Sequence, residues 1–223
     1  MKRLSTFRPK AKFQIMMLGN AAVGKSSLLQ RFISDASPTI SQPMATIGAE
    51  FKVKRVCLVD GVVRLKIWDT SGQERFKDLL RTYYDRCNGA VIVYDIQNRE
   101  SYEHAQAWVT ELREKISREL VLVLAGNKAD MDIIREVTKF EAEEYATHHN
   151  LIFLETSSVN GMNVNICFTE MAKALYAQRN QSQKGKKSSN LKETTLNEHD
   201  EKEEIKPSFF NCFGSHSNAS KST

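Results

Sequence analysis

The sequence predicts an α/β domain: a mixed six-stranded sheet with helices on both faces, followed by a disordered tail. Three observations carry that expectation. Between Phe13 and Ala177 short apolar runs alternate with longer helical patterns, the layout of an open sheet wrapped by helices. Asp60-Gly61, a tight-turn signal between two β-rich runs, makes one strand pair antiparallel and the sheet mixed. After Gln178 the composition turns to Ser, Lys, Glu and Asn, with too little apolar area to offset the entropy of ordering.

Residues 1–12 read as a basic extension, with Lys2, Arg3, Arg8, Lys10 and Lys12 and no acid. The 223 residues carry a net charge of +5, from 32 Lys and Arg against 27 Asp and Glu, so this extension accounts for the excess. A nucleic-acid-binding face is thereby excluded, and a solvated terminus is favoured over contact with a membrane surface. Phe13–Leu18 reads as a buried strand and Lys25–Ser34 as a helix. Phe51–Val59 and Val62–Asp69 form the expected hairpin, and Ala90–Tyr94, Val121–Ala125 and Ile152–Glu155 the buried parallel strands. Crossover helices are expected near Ser101–Ser117, Thr138–Asn150 and Val164–Ala177, and residues 178–223 are read as the tail.

Composition, at 41% hydrophobic and 26% charged, is that of a soluble globular protein and excludes collagen-like or low-complexity chains. No apolar run approaches the roughly 20 residues of a membrane-spanning helix. The N-terminal basic residues break up any apolar core of a secretory signal, so a cytoplasmic protein is expected. Cys57, Cys87, Cys167 and Cys212 form no C-x-x-C pair, which argues against a zinc site or a disulfide framework.

Three segments carry chemistry. Gly19-Asn20-Ala21-Ala22-Val23-Gly24-Lys25-Ser26 matches G-x-x-x-x-G-K-S between a predicted strand and a predicted helix. In that layout backbone N–H groups around Gly19, Ala22, Val23, Gly24 and Ser27 surround an anion, Lys25 reaches terminal phosphates, and the Ser26 hydroxyl ligates Mg²⁺. An ordinary Gly-containing loop is the alternative. Asp69-Thr70-Ser71-Gly72-Gln73 follows the next parallel strand: the carboxylate suits Mg²⁺, the Gly72 N–H a γ-phosphate, and the Gln73 amide an attacking water. Asn127-Lys128-Ala129-Asp130 follows another strand, and an Asp carboxylate accepts from both the N1–H and the 2-amino group of guanine, a pair adenine does not offer. Each of the last two is weak alone; their order and register with the first give them weight.

Together, over residues 13–177, these motifs resemble the Ras superfamily of small GTPases, and the resemblance implies its P-loop NTPase small-GTPase fold. Ile47-Gly48-Ala49-Glu50-Phe51, Lys66-Ile67-Trp68, Glu74-Arg75-Phe76 and Tyr83-Tyr84 are similar to the Rab branch. Phe13-Gln14-Ile15, the Ala125–Asp130 segment and Met162-Asn163-Val164-Asn165 are most similar to Rabs of early endocytic traffic. The resemblance implies a monomeric GDP/GTP switch on the cytosolic face of endosomal membranes, slow in hydrolysis for want of an arginine finger in cis. Thr46 would join Ser26 and Asp69 on Mg²⁺, Gln73 and Lys25 would be the catalytic pair, and Ser157 and Ser158 would lie beside guanine. The implied partners are a GTPase-activating protein, a guanine nucleotide exchange factor, and effectors reading Phe51, Trp68 and Tyr83. For Trp68 a core aromatic is an equal reading.

Departures from the family pattern are informative. Ser158-Val159 stands where Ala-Lys is usual, and Ser71 replaces Ala. Ser34–Ala45 is longer than the norm and has no aromatic to lie against the base edge, a contact worth about 1 kcal/mol, so faster nucleotide exchange is expected. Cys212 has further residues after it and forms no prenylation motif, leaving S-acylation and a plain tail thiol both open. Two rival functions stand beside the GTPase: a nucleotide-bound scaffold with negligible turnover, and an adenine-nucleotide kinase, for which no arginine-bearing lid is visible.

Overall fold

Alternate side chains of one strand feed two separate cores. In the computed structural model, which describes residues 8–34, 49–70, 84 and 86–189, strand β1 spans Ala11–Leu18. Its Phe13, Ile15 and Met17 enter one apolar cluster, and Met16 and Leu18 enter the other. That period-2 division is what a strand covered on both faces requires.

The elements that follow are α1 (Lys25–Ser34), β2 (Ala49–Leu58), β3 (Gly61–Thr70), β4 (Gly89–Asp95) and α2 (Arg99–Lys115). After them come β5 (Val121–Asn127), a short 3-10 segment (Ala129–Ile134), α3 (Lys139–His148), β6 (Ile152–Glu155) and α4 (Val164–Ser189). The sheet has six strands in the order β2-β3-β1-β4-β5-β6. Every neighbouring pair is parallel except β2 with β3. Leu28, Leu29 and Phe32 of α1 and Phe168, Met171 and Leu175 of α4 pack on one face, where the Phe32 and Phe168 rings stack at 4.1 Å. Tyr102, Val109 and Leu112 of α2 and Ala142 and Ala146 of α3 cover the other. β1 and β4 are neighbours whose following helices lie on opposite faces, and such a reversal opens a crevice beyond the strands' carboxyl ends.

Several boundaries differ from the sequence reading, and β1 takes in Ala11 and Lys12 of the expected 1–12 extension. Leu58 pairs with Gly61, so the hairpin turn is Val59-Asp60, with Gly61 already in β3. Gly61 adopts φ +139°, and Lys10 lies within 2.8 Å of where a Cβ would stand, which places the glycine at the turn's exit. α4 runs on through Ser189 rather than ending at Ala177. Good helix formers continue there, and Gln178 and Arg179 tie the helix to the Glu119 and Lys10 carbonyls at 3.3 and 2.7 Å. The tail reading for residues 190–223, Cys212 included, lies outside the described residues.

Candidate functional site

The loop after β1 is shaped by close backbone approach. A Cβ on Gly19, which has φ +132°, would stand 2.1 Å from the Val93 carbonyl oxygen on β4. On Gly24, at φ +95°, it would stand 2.3 Å from Asn127 Nδ2. Only glycine satisfies both the backbone angle and the gap. Ala22 takes φ +63° and Val23 is buried. Lys25 opens α1 and curls back over the loop, its Nζ donating to the Gly19 and Asn20 carbonyls at 2.8 and 2.6 Å. The residue is 5% exposed, and burial lowers its pKa from 10.5 to about 8, partly opposed by the nearby Asp69 charge. Ser26 and Ser27 follow in the first turn, at the helix N-terminus, the end whose backbone N–H groups and dipole suit an anion.

Asp69 sits near the end of β3, level with Met17 of β1. Burial raises its pKa above the usual carboxylate range, opposed by a hydrogen bond from Ser26 and by the Lys25 charge. Its Oδ1 is buried with no hydrogen-bond partner among the described residues. A buried carboxylate oxygen beside a serine hydroxyl is a hard donor pair that fits Mg²⁺, which keeps its other positions for water and phosphate oxygens. The described residues contain no group of three His, Cys, Asp or Glu able to cage a metal. The expected Thr46, Gly72, Gln73 and Tyr83 lie outside the described residues.

The third motif closes the crevice from β5. Asn127 is fully buried; its Nδ2 donates to the Val23 carbonyl at 2.8 Å, and its Oδ1 accepts from the Thr156 hydroxyl at 3.3 Å. One amide thus joins the phosphate-type loop to the loops after β5 and β6. Lys128 adopts a left-handed conformation, φ +65°, with its Nζ 2.5 Å from Asp95 Oδ2. Asp130 Oδ1 accepts from the Ser157 hydroxyl at 2.5 Å, and Ser157 Oγ accepts from the N–H groups of Val159 and Asn160 at 3.2 Å. Ser158 is buried beside them. The first and third motifs and Ser157-Ser158 therefore converge at one sheet edge, with Asp69 facing Lys25. The sequence reading missed Thr156, Asp95 and the Ser157–Asp130 bond. Their partners lie far away in sequence, and no local pattern marks them.

On the hairpin, Phe51 is 47% exposed, and its ring centroid lies 5.2 Å from that of Trp68. The Lys66 ammonium stands over both rings at 4.1 and 4.2 Å. Trp68 is half-buried against the second apolar cluster, as the core reading expects, while its Nε1 donates to Gln14 Oε1 at 3.3 Å.

A family model described as the Ras family matches residues 14–177. The chain belongs to the Ras family. The Ras-related protein Rab-5A of Dictyostelium discoideum is 44% identical over 164 residues, covering 74% of this chain and 81% of that protein. The Ras-related protein Rab-4A of Danio rerio is 44% identical over 163 residues, covering 73% and 76%. This Ras-family chain is therefore a Rab-type small GTPase, a GTP phosphohydrolase with GTP and GDP as ligands. Membership implies three partner classes: GTPase-activating proteins, exchange factors and effectors. No described helix is long and apolar enough to cross a membrane.

Proposed function

We propose that this GTPase is a switch of vesicle traffic at the cytosolic face of endosomal membranes, monomeric, and read through Phe51, Trp68 and Tyr83 when GTP is bound. The observation that carries the site assignment is the Asn127 amide, hydrogen-bonded to Val23 of one motif and Thr156 beside another, with Gly24 packed against it. In this reading the N–H groups from Gly19 to Ser27 receive the phosphates, and Lys25 stabilises charge on the transferring group. Ser26, Asp69 and Thr46 would hold Mg²⁺. The metal, when bound, neutralises charge on the phosphate oxygens. Gln73 orients the water whose oxygen attacks the γ-phosphorus in line as GDP leaves, with no covalent enzyme intermediate. Asp130 accepts from the guanine N1–H and 2-amino group, aimed by Ser157, while Asn127, Lys128 and Ser158 shape the base pocket. The γ-phosphate orders the segments around Thr46 and Gly72, and its loss releases them. Residues beyond α4 act as a tether. Similarity to proteins named Rab-5A and Rab-4A supports the endosomal assignment.

The test is the nucleotide released on denaturing protein purified from cells, followed by single-turnover hydrolysis. GDP or GTP is expected, with hydrolysis slowed about 100-fold by Gln73→Leu. Equal rates with and without that substitution would instead mark a scaffold that binds but does not turn over.

A further inference from the structure

The loop on the base side is held by a residue outside all three motifs. Arg31, in the last turn of α1, sends Nη1 to the Val159 carbonyl at 3.4 Å and Nη2 to the Asn160 carbonyl at 3.3 Å. Both contacts lie just beyond the usual N–H···O range of about 2.7–3.2 Å, yet two donors of one planar cation on adjacent carbonyls fix an orientation that one would leave free. The turn is shaped to admit the guanidinium. Gly161 has φ +84°, and a Cβ there would stand 2.5 Å from Arg31 Nη2. On the opposite side of the same residues, the Val159 and Asn160 N–H groups converge on Ser157 Oγ, which donates to Asp130. Those two residues are therefore gripped by Arg31 through their carbonyls and by Ser157 through their amides.

We infer that Arg31 is a positioning residue for guanine selectivity. It clamps the Val159 and Asn160 carbonyls, so the turn keeps the Ser157 hydroxyl aimed and Ser157 keeps the Asp130 carboxylate in register with the base. The inference rests on the guanine reading of Asp130. α1 then serves both ends of the ligand, with Lys25 and Ser26 at its start and Arg31 near its end.

The experiment compares dissociation of GDP and of inosine diphosphate, which lacks the 2-amino group, from the full chain and from Arg31→Ala and Arg31→Lys. Arg31→Ala is expected to speed GDP release about tenfold and inosine diphosphate release much less, narrowing the preference about fivefold. Arg31→Lys keeps the charge but reaches one carbonyl at a time, so it gives an intermediate ratio. A merely structural arginine would lower the thermal midpoint and loosen both ligands alike. An unchanged GDP-to-inosine ratio in both variants overturns the inference and leaves the guanine reading intact. Absence of any GDP preference in the unmodified chain sinks that reading and the inference with it.

Discussion

At the proposed phosphate end of the site, an ammonium and a carboxylate, Lys25 and Asp69, are held in dry surroundings that push both pKa values toward the neutral forms. At the base end, the buried polar groups are already matched by protein partners: Asn127 by Val23 and Thr156, and Ser157 by Asp130 and two backbone amides. One end is electrostatically tense and gains most from an incoming anion and cation. The other is preorganised, so the base meets groups that need little rearrangement. Affinity should come chiefly from the first end and selectivity from the second.

The sharpest way to break this division is Lys25→Met. Removing the ammonium should lower GDP affinity and GTP turnover about 10²–10³-fold while the ratio of GDP to inosine diphosphate affinity survives; titration calorimetry and single-turnover assays read both. Asp130→Ala should do the reverse. GDP affinity falls roughly 100-fold toward that for ADP, and competition between the two nucleotides would show the preference gone.

The pH response separates the ends next. Below about pH 8 folded and unfolded chains both hold the Lys25 proton, and the folded chain bears the cost of a buried ammonium. Above that value only the folded chain sheds the proton, up to the ordinary 10.5, so the nucleotide-free protein gains stability as pH rises from about 8. Burial pushes the Cys87 and Cys167 thiols up to about 12, so stability is lost through their ordinary value of 9.0, and the gain is cleanest between 8 and 9. Phosphate binding needs the ammonium, so GDP affinity should fall about tenfold between pH 7 and pH 9. Thermal melts and calorimetry at both pH values check the two signs, and Lys25→Met should flatten both. The smallest effect concerns exchange. The Ser34–Ala45 stretch offers no aromatic, and GDP release should be several-fold faster than from Rabs that carry one; a stopped-flow rate equal to theirs would remove the idea.

Much of this was legible in the sequence, for identifiable reasons. Strand β1 announces itself because both of its faces are apolar, and the G-x-x-x-x-G-K-S loop because glycines at fixed spacing have few other uses. Asp60-Gly61 located the hairpin to within one residue; the turn slipped because Gly61 at positive φ pairs with Leu58 instead of occupying the loop. The end of α4 was misjudged because polar helix formers look like linker until Gln178 and Arg179 find carbonyls on other elements. Arg31 was invisible as a site residue, since its acceptors lie 128 and 129 positions away. Contacts made across that distance follow from topology and leave no local trace.

The Asn127 bridge also bears on how fragments of the ligand would behave. Asn127 is already bonded to both loops before any ligand arrives, so two half-ligands, pyrophosphate and guanosine, would each meet a formed half-site. The intact nucleotide therefore gains chiefly what joining its halves saves in lost translational freedom, and a change at this one side chain would disturb both ends of the crevice together.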